Sequence, residues 1–340
     1  MCHITNRVET TDYHTAGEPF RIVADGVPNI EGRTLAERRI TDRDSPTIDA
    51  YRQLLCGEPR GHADMYGGFI VPPDDAGADF GVLFWHNDGY STACGHGTIA
   101  LGVWAVQTGR VTADAGGVTP VTIDVPSGRV VAHVRQEAGE ITGVVFENVP
   151  SYPVARDIAD DTSVRKVIVD LGFGGALYAC VPASALGLSV TMEDYERLRA
   201  LGREIKWALN DSELARHTDD DRLSGVYGTI IFDDLGDTAN GPHKRNVTVF
   251  ADGRIDRSPC GSGTAARIAM PADSGRLGEG QVLTHDSIVG TRFLGWARPA
   301  PGSDVPGAVT PEVEGMAYRT GIHSFTLDPG DPGETGFVLS

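Results

Sequence analysis

Apolar and polar positions alternate over short runs along much of the chain, and turn signals close those runs. Phe80-Gly-Val-Leu-Phe-Trp85 and Asn246-Val-Thr-Val-Phe250 read as strands, and each is followed by an Asp-Gly turn, at 88–89 and 252–253. A cysteine then opens a stretch of small and apolar residues, Cys94-Gly-His-Gly-Thr-Ile-Ala100 in one place and Cys260-Gly-Ser-Gly-Thr-Ala-Ala266 in the other. Both stretches predict a helix beginning at the cysteine, the second ending before Pro271. Leu198, Leu201, Ile205 and Leu209 fall at helical spacing, so residues 191–209 predict an amphipathic surface helix capped by Thr191. Residues 47–56 predict another. Residues 129–134 and 141–146 predict a hairpin, 299–311 a proline-rich loop, and 315–339 alternate like strands returning to a sheet.

The two cysteine motifs are one feature of a longer repeat. They lie 166 positions apart in a chain of 340 residues. Upstream, Met65-Tyr-Gly-Gly-Phe-Ile70 matches Val226-Tyr-Gly-Thr-Ile-Ile231, and Gly17-Glu-Pro-Phe-Arg-Ile-Val23 matches Gly175-Ala-Leu-Tyr-Ala-Cys-Val181. Three matches in the same order, at slowly growing offsets, predict two related halves rather than chance glycine-rich turns. The expected division is 1–150 for an N-terminal half carrying Cys94, completed by 315–340, and 151–314 for a C-terminal half carrying Cys260.

Composition narrows the function classes. With 40% hydrophobic and 22% charged residues the chain is that of an ordinary folded protein, and 43 glycines and 20 prolines make it turn-rich. The net charge of −18, with lysines only at 166, 206 and 244, disfavours nucleic acid and anionic membrane surfaces as partners. A small-molecule substrate is expected instead, and a carboxylate on it would need a local positive site. The five cysteines, at 2, 56, 94, 180 and 260, have no CxxC pair and no metal-ligand spacing, so they read as reduced thiols and no metal is expected. There is no signal-like or membrane-length apolar run, so a cytoplasmic location is expected. Nothing in the sequence fixes the oligomeric state, a homodimer included.

A thiol at a helix N-terminus lies beside unpaired backbone N–H groups and the positive end of the helix dipole. That position is expected to lower the thiol pKa from its usual value of about 8.5. The Gly-x-Gly turn also leaves N–H groups bare and close, as an anion site for a carboxylate. Two such units facing each other across a cleft would grip one carboxylate while two thiols flank the adjacent carbon. One thiolate would remove the α proton and the other thiol would return a proton to the opposite face, with no cofactor required.

Rival readings are weaker. Gly95-His-Gly-Thr-Ile-Ala100 and Gly261-Ser-Gly-Thr-Ala-Ala266 fit the dinucleotide fingerprint, but that motif follows its strand directly, and here several residues intervene. Pyridoxal phosphate would need an anchoring lysine, and none of the three lies in a glycine-rich pocket motif. Cys94 and Cys260 could be buried structural thiols, as Cys2, Cys56 and Cys180 are expected to be, yet two matched C-G-x-G-T contexts argue against it.

Asp256-Arg-Ser-Pro-Cys260-Gly-Ser-Gly-Thr264 and Cys94-Gly-His-Gly-Thr-Ile99, with His14-Thr-Ala-Gly-Glu-Pro19, closely resemble the proline racemase superfamily over nearly the whole chain. That superfamily includes proline racemases, 4-hydroxyproline 2-epimerases and trans-3-hydroxy-L-proline dehydratases. The resemblance implies an α/β fold of the diaminopimelate-epimerase type: two pseudo-symmetric halves, each a curved sheet around a central helix, with the active site between them. It implies that Cys94 and Cys260 are the catalytic bases. Gly95, His96, Gly261 and Ser262 match the turns that hold the substrate carboxylate, while Asp256 and the His96 side chain match the partners of its ring nitrogen. His14 and Glu18 are expected to be structural.

The branch is mixed. Gly89-Tyr-Ser-Thr92, Gly61-His-Ala-Asp-Met-Tyr66 and Tyr227-Gly-Thr-Ile230 look most like the dehydratase branch, which typically carries Thr where this chain has Cys260. Dehydration needs one base, so the second thiol favours inversion. Ala93 and Ser262 also depart from residues common in relatives. The sequence therefore predicts a cofactor-independent racemase or epimerase acting at Cα of proline or a hydroxyproline, with dehydration of trans-3-hydroxyproline as the alternative and a non-catalytic amino-acid-binding protein as a remote third.

Overall fold

A computed structural model describes residues 7–339, so the expectation for Cys2 lies outside the described residues. The described residues fall into two compact units, one of residues 7–15, 19–142 and 316–339, the other of residues 16–18 and 143–315.

In the first unit, strands β1 (Val8–Thr15) and β2 (Glu18–Val23) lead to helices α1 (Leu35–Asp44) and α2 (Pro46–Cys56). Strands β3 (Tyr66–Val71), β4 (Phe80–His86) and β5 (Gly89–Tyr90) precede helix α3 (Gly95–Gln107), and β6 (Val118–Val125) and β7 (Gly128–Glu137) follow it. Strand β2 runs parallel to β3, β3 antiparallel to β4, β4 parallel to β6, and β6 antiparallel to β7. Helix α3 packs against β1, β6 and β7 and buries every residue from Gly95 to Ala105, so it is hydrophobic all round, as a central helix must be.

Helix α2 begins one residue earlier than the sequence indicates, because Pro46 takes the first helical position behind a Ser45 cap. Helix α1 is absent from the sequence reading. It is rich in Arg and Asp and buries only Leu35, Arg38 and Asp42, so it carries no apolar stripe; the Thr34 hydroxyl caps it by accepting the Glu37 N–H at 3.2 Å.

The second unit contains β8 (Glu140–Glu147), of which residues 143–147 belong to it, then β9 (Tyr152–Asp161), β10 (Lys166–Phe173) and β11 (Leu177–Pro182). Helix α4 (Tyr195–Asn210) follows, then β12 (Val226–Thr238), β13 (Gly241–Phe250), β14 (Arg254–Asp256) and helix α5 (Gly261–Asp273). Strands β15 (Leu283–Ser287), β16 (Arg292–Pro299) and β17 (Val309–Gly315) complete it. Strand β11 runs parallel to β12, β12 antiparallel to β13, β13 parallel to β15, and β15 antiparallel to β16. This repeats the order of directions from β2 to β7, and α5, like α3, is buried, from Gly261 through Pro271. The last strand, β18 (Ala317–Phe325), returns to the first unit and pairs antiparallel with β1.

Four expectations need correction. Helix α5 runs through Pro271 instead of ending before it; the proline costs the Arg267 carbonyl its acceptor role, but packing of the surrounding turn holds the helix to Asp273. Helix α4 starts at Tyr195 behind Asp194 rather than Thr191, and that carboxylate accepts the Ser189 N–H at 3.0 Å, which closes the preceding turn instead. The 315–339 stretch yields one strand, because Pro329, Gly330, Pro332 and Gly333 interrupt the chain after β18. The proline-rich loop is also shorter than expected, since Pro311 sits in β17 opposite Ala297.

Candidate active site

Each unit carries its cysteine at the N-terminus of its buried helix. Cys94 is the N-cap of α3, with extended backbone, and its Sγ accepts the Gly97 N–H at 3.3 Å. This is a capping bond of the kind serine makes, with sulfur in place of oxygen. Its carbonyl accepts the N–H and hydroxyl of Thr98 at 3.0 and 2.8 Å. Gly97 is required here: a Cβ on it would stand 2.4 Å from Phe20 Cε2 and 2.8 Å from the Cys94 sulfur.

His96 lies against that sulfur, with Nδ1 at 3.5 Å and Nε2 at 3.6 Å. Phe20 and Tyr66 flank its ring edge-on, at centroid distances of 5.9 and 5.0 Å. Burial drives its pKa down to about 3, against a smaller opposing effect from the hydrogen bond to the Pro19 carbonyl. The imidazole is therefore neutral at physiological pH. Thr15 fixes the same turn by donating its hydroxyl to the His96 carbonyl at 2.9 Å.

Cys260 is built differently. It is the residue before α5, with φ of +64° and ψ of 107°, a conformation that costs a non-glycine residue about 1–3 kcal/mol and so has to be held by its surroundings. The holding bonds are visible: the Cys260 N–H donates to Ser258 Oγ at 3.0 Å, and the Ser258 hydroxyl and N–H both donate to Asp256 Oδ1, at 2.7 and 2.8 Å. Asn246 and Thr264 both donate to the Pro259 carbonyl, at 2.9 and 3.1 Å. The Glu18 carboxylate accepts the Arg257 N–H at 2.8 Å, so the residue expected to be structural anchors the loop that bears Asp256.

The Cys260 sulfur makes no capping bond like that of Cys94. One of its hydrogen-bond partners is the Tyr178 hydroxyl at 3.7 Å, which is in turn 2.7 Å from Ser262 Oγ, and the Asp256 carboxyl is another. Burial pushes the Cys260 thiol pKa up, and the neighbouring Asp256 pushes it further, while the Gly263 N–H and Tyr178 act in the opposite sense. The expectation that a helix start lowers the thiol pKa therefore fails for Cys260, because desolvation and a like-charged neighbour outweigh the helix end. Burial likewise raises Asp256, to about 6, against the bonds from Ser258.

Gly95 and His96 in α3, and Gly261 and Ser262 in α5, occupy first helical turns, where backbone N–H groups lack intrahelical acceptors. Six of the seven residues singled out in the sequence thus fall at two matching helix starts, one per unit, each joining a thiol to a turn of backbone N–H groups, while the seventh, Asp256, ends β14 four residues before Cys260. Tyr178 and Ser258 were missed. The first was visible as the residue matched to Phe20 in the repeat; the second lies inside the quoted motif, but its hydroxyl bridge could be found only in the folded loop. Cys56 and Cys180 are buried thiols outside any disulfide and away from any helix start. Among the described residues, no cluster of three or more His, Cys, Asp or Glu side chains could hold a metal ion, and no helix is long and apolar enough to cross a membrane.

A family model described as proline racemase matches residues 10–338. The chain is 41% identical over 331 residues to the trans-3-hydroxy-L-proline dehydratase of Bacillus thuringiensis subsp. konkukian, covering 97% of each chain. It is also 41% identical over 343 residues to the 3-hydroxyproline 2-epimerase of Burkholderia multivorans, covering 99% of each. A hydroxyproline epimerase from Agrobacterium vitis, solved with bound trans-4-hydroxy-L-proline, is similar with a TM-score of 0.88 at 28% identity, over 98% of this chain and 96% of that one.

Proposed function

The chain belongs to the proline racemase family, with its diaminopimelate-epimerase type of α/β fold, and from that premise we propose that Cys94 and Cys260 are the two acid–base groups that invert Cα of a hydroxyproline or proline. The observation that carries the reading is the doubled site itself, a thiol at the start of a buried helix in each unit.

Inversion needs a base on one face of the carbon and an acid on the other. Cys94 as thiolate takes the α proton, and the C–H electron pair moves into the carboxylate, whose oxygens gain charge. Backbone N–H groups of Gly95, His96, Gly261 and Ser262 are the donors for that charge. Cys260, held protonated by its buried setting, delivers a proton to the opposite face. The Asp256 carboxylate is the partner for the substrate ammonium, whose positive charge favours the ionised form that burial alone disfavours. None of the four described cysteines is in a disulfide, which suits a reducing cytoplasm.

The alternative is dehydration of trans-3-hydroxy-L-proline, in which the same α-proton removal is followed by loss of the neighbouring hydroxyl. What favours it is that relatives of equal identity carry both names. An NMR time course in D₂O with L-proline, trans-4-hydroxy-L-proline and trans-3-hydroxy-L-proline tests the choice. Deuterium at Cα with formation of the opposite epimer supports inversion; loss of the ring hydroxyl without an epimer supports dehydration. No exchange with any of the three refutes both.

A further inference from the structure

The two thiols stand at matching places in matching units, yet their neighbours differ in kind. Around Cys94 the side chain in contact is the neutral imidazole of His96, and the position matched to Tyr178 by the repeat is Phe20, which has no hydroxyl. Around Cys260 the matched position holds Ser262 in place of His96, and the groups in contact are the phenol of Tyr178 and the Asp256 carboxyl. Tyr178 is fully buried, projects from β11, and bonds Ser262 Oγ at 2.7 Å.

We propose that Tyr178 is a positioning residue for Cys260, its hydroxyl forming with Ser262 a hydrogen-bond chain that reverses direction when the thiol becomes a thiolate. This rests on the reading of Cys260 as the proton-delivering thiol. In the resting state the Cys260 S–H donates to Tyr178 Oη, and the Tyr178 O–H donates to Ser262 Oγ. When Cys260 protonates the carbanion, the S–H bond breaks, its electron pair stays on sulfur, and a C–H bond forms with the carbanion pair. The new thiolate is then buried within reach of Asp256, where an unbonded charge would be costly. The Tyr178 O–H turns from Ser262 to the sulfur, and the Ser262 hydroxyl turns to donate to Oη. Tyr178 never loses its proton, which agrees with a buried phenol raised well above its ordinary pKa. The charged and titratable groups facing this chain are Asp256 beside the sulfur, Arg257 acting on Asp256, and Tyr227, which packs edge-on against Tyr178 at 5.6 Å.

The contrast with unit one supplies the mildest perturbation. Phe20 shows that this fold accommodates phenylalanine at the matched position, so Tyr178→Phe deletes one oxygen. The experiment reads iodoacetamide alkylation of Cys94 and Cys260 separately by mass spectrometry from pH 6 to 10 without substrate, together with kcat and KM. Loss of a hydrogen bond to a charged group corresponds to about a ten- to hundredfold effect. Tyr178→Phe is expected to slow Cys260 alkylation by about that factor and to move its profile to higher pH, leaving Cys94 unmoved. It is expected to lower kcat similarly with KM little changed. Site-specific 3,5-difluorotyrosine at 178, a stronger donor, is expected to move the Cys260 profile to lower pH, a reversal that a merely structural role would not produce. An unmoved Cys260 profile in both variants, or equal shifts of Cys94 and Cys260, overturns the proposal. Because alkylation is read without turnover, absent catalysis in the wild type would refute the functional reading and leave this test intact.

Discussion

Replacing Asp256 by asparagine should make the stability of the protein less sensitive to pH, in a direction set by burial. Asp256 is buried, its carboxyl is raised from 3.8 to about 6, and burial is the largest cause. Below pH 3.8 the group is protonated in both folded and unfolded states and contributes nothing. As pH rises from 3.8 to 6 the unfolded chain ionises while the folded one resists, so folding loses stability across that window. At 1.36 kcal/mol per pKa unit the loss is about 3 kcal/mol, complete above pH 6. Asparagine keeps an oxygen to accept the two bonds from Ser258 but cannot ionise. The assay is thermal unfolding of wild type and Asp256→Asn at pH 4, 5, 6, 7 and 8. The variant should gain on wild type by about 2–2.5 kcal/mol between pH 4 and pH 8, the rest of the loss lying below pH 4, while Cys260, relieved of a neighbouring negative charge, alkylates at lower pH. A stability difference that stays flat from pH 4 to 8 would show that the site does not hold this carboxyl against ionisation, and the placement of a substrate ammonium beside it would lose its basis.

The same geometry sets other outcomes. Gly97→Ala should cost about 1–3 kcal/mol and most of the Cys94 reactivity, because its Cβ must displace Phe20 and the sulfur; calorimetry and site-resolved alkylation check both. The His96 ring, held near pKa 3, should show no NMR titration between pH 5 and 8; as a depressed histidine it contributes nothing above pH 6.5 and costs stability as pH falls from 6.5 toward 3, and a midpoint near 6.5 would contradict the buried setting. Ser258→Ala should lower stability by about 1–3 kcal/mol, since the buried Cys260 N–H and Asp256 each lose a partner; denaturant unfolding measures it. Pyrrole-2-carboxylate, planar at the carbon beside its carboxylate, should bind competitively with substrate, and calorimetry showing no binding at millimolar concentration would count against the anion-binding turns.

The site was legible in the sequence to the extent that local chemistry determines it. Cysteine followed by Gly-x-Gly marks a helix start whichever sheet surrounds it, so both helices and both turns could be placed from their residues. What required the fold was whatever depends on neighbours distant in sequence. The thiol of Cys260 is raised rather than lowered because burial and Asp256 act on it, and neither is expressed in the spacing of the motif. Tyr178 lies 82 positions away from Cys260 along the chain, and in the sequence only its match to Phe20 in the repeat marks it. Helix α1 escaped because charged residues cover it, and α5 passed beyond Pro271 because packing outweighs one lost hydrogen bond.

The most direct test of the two-thiol account is to assay wild type, Cys94→Ser, Cys260→Ser and Cys260→Thr by NMR in D₂O on L-proline, trans-4-hydroxy-L-proline and trans-3-hydroxy-L-proline. The account predicts that wild type inverts Cα of at least one substrate, that either serine variant abolishes net inversion, and that Cys260→Ser still exchanges deuterium into one epimer through Cys94. It is contradicted if wild type inverts none of the three while wild type and Cys260→Thr both dehydrate trans-3-hydroxy-L-proline efficiently.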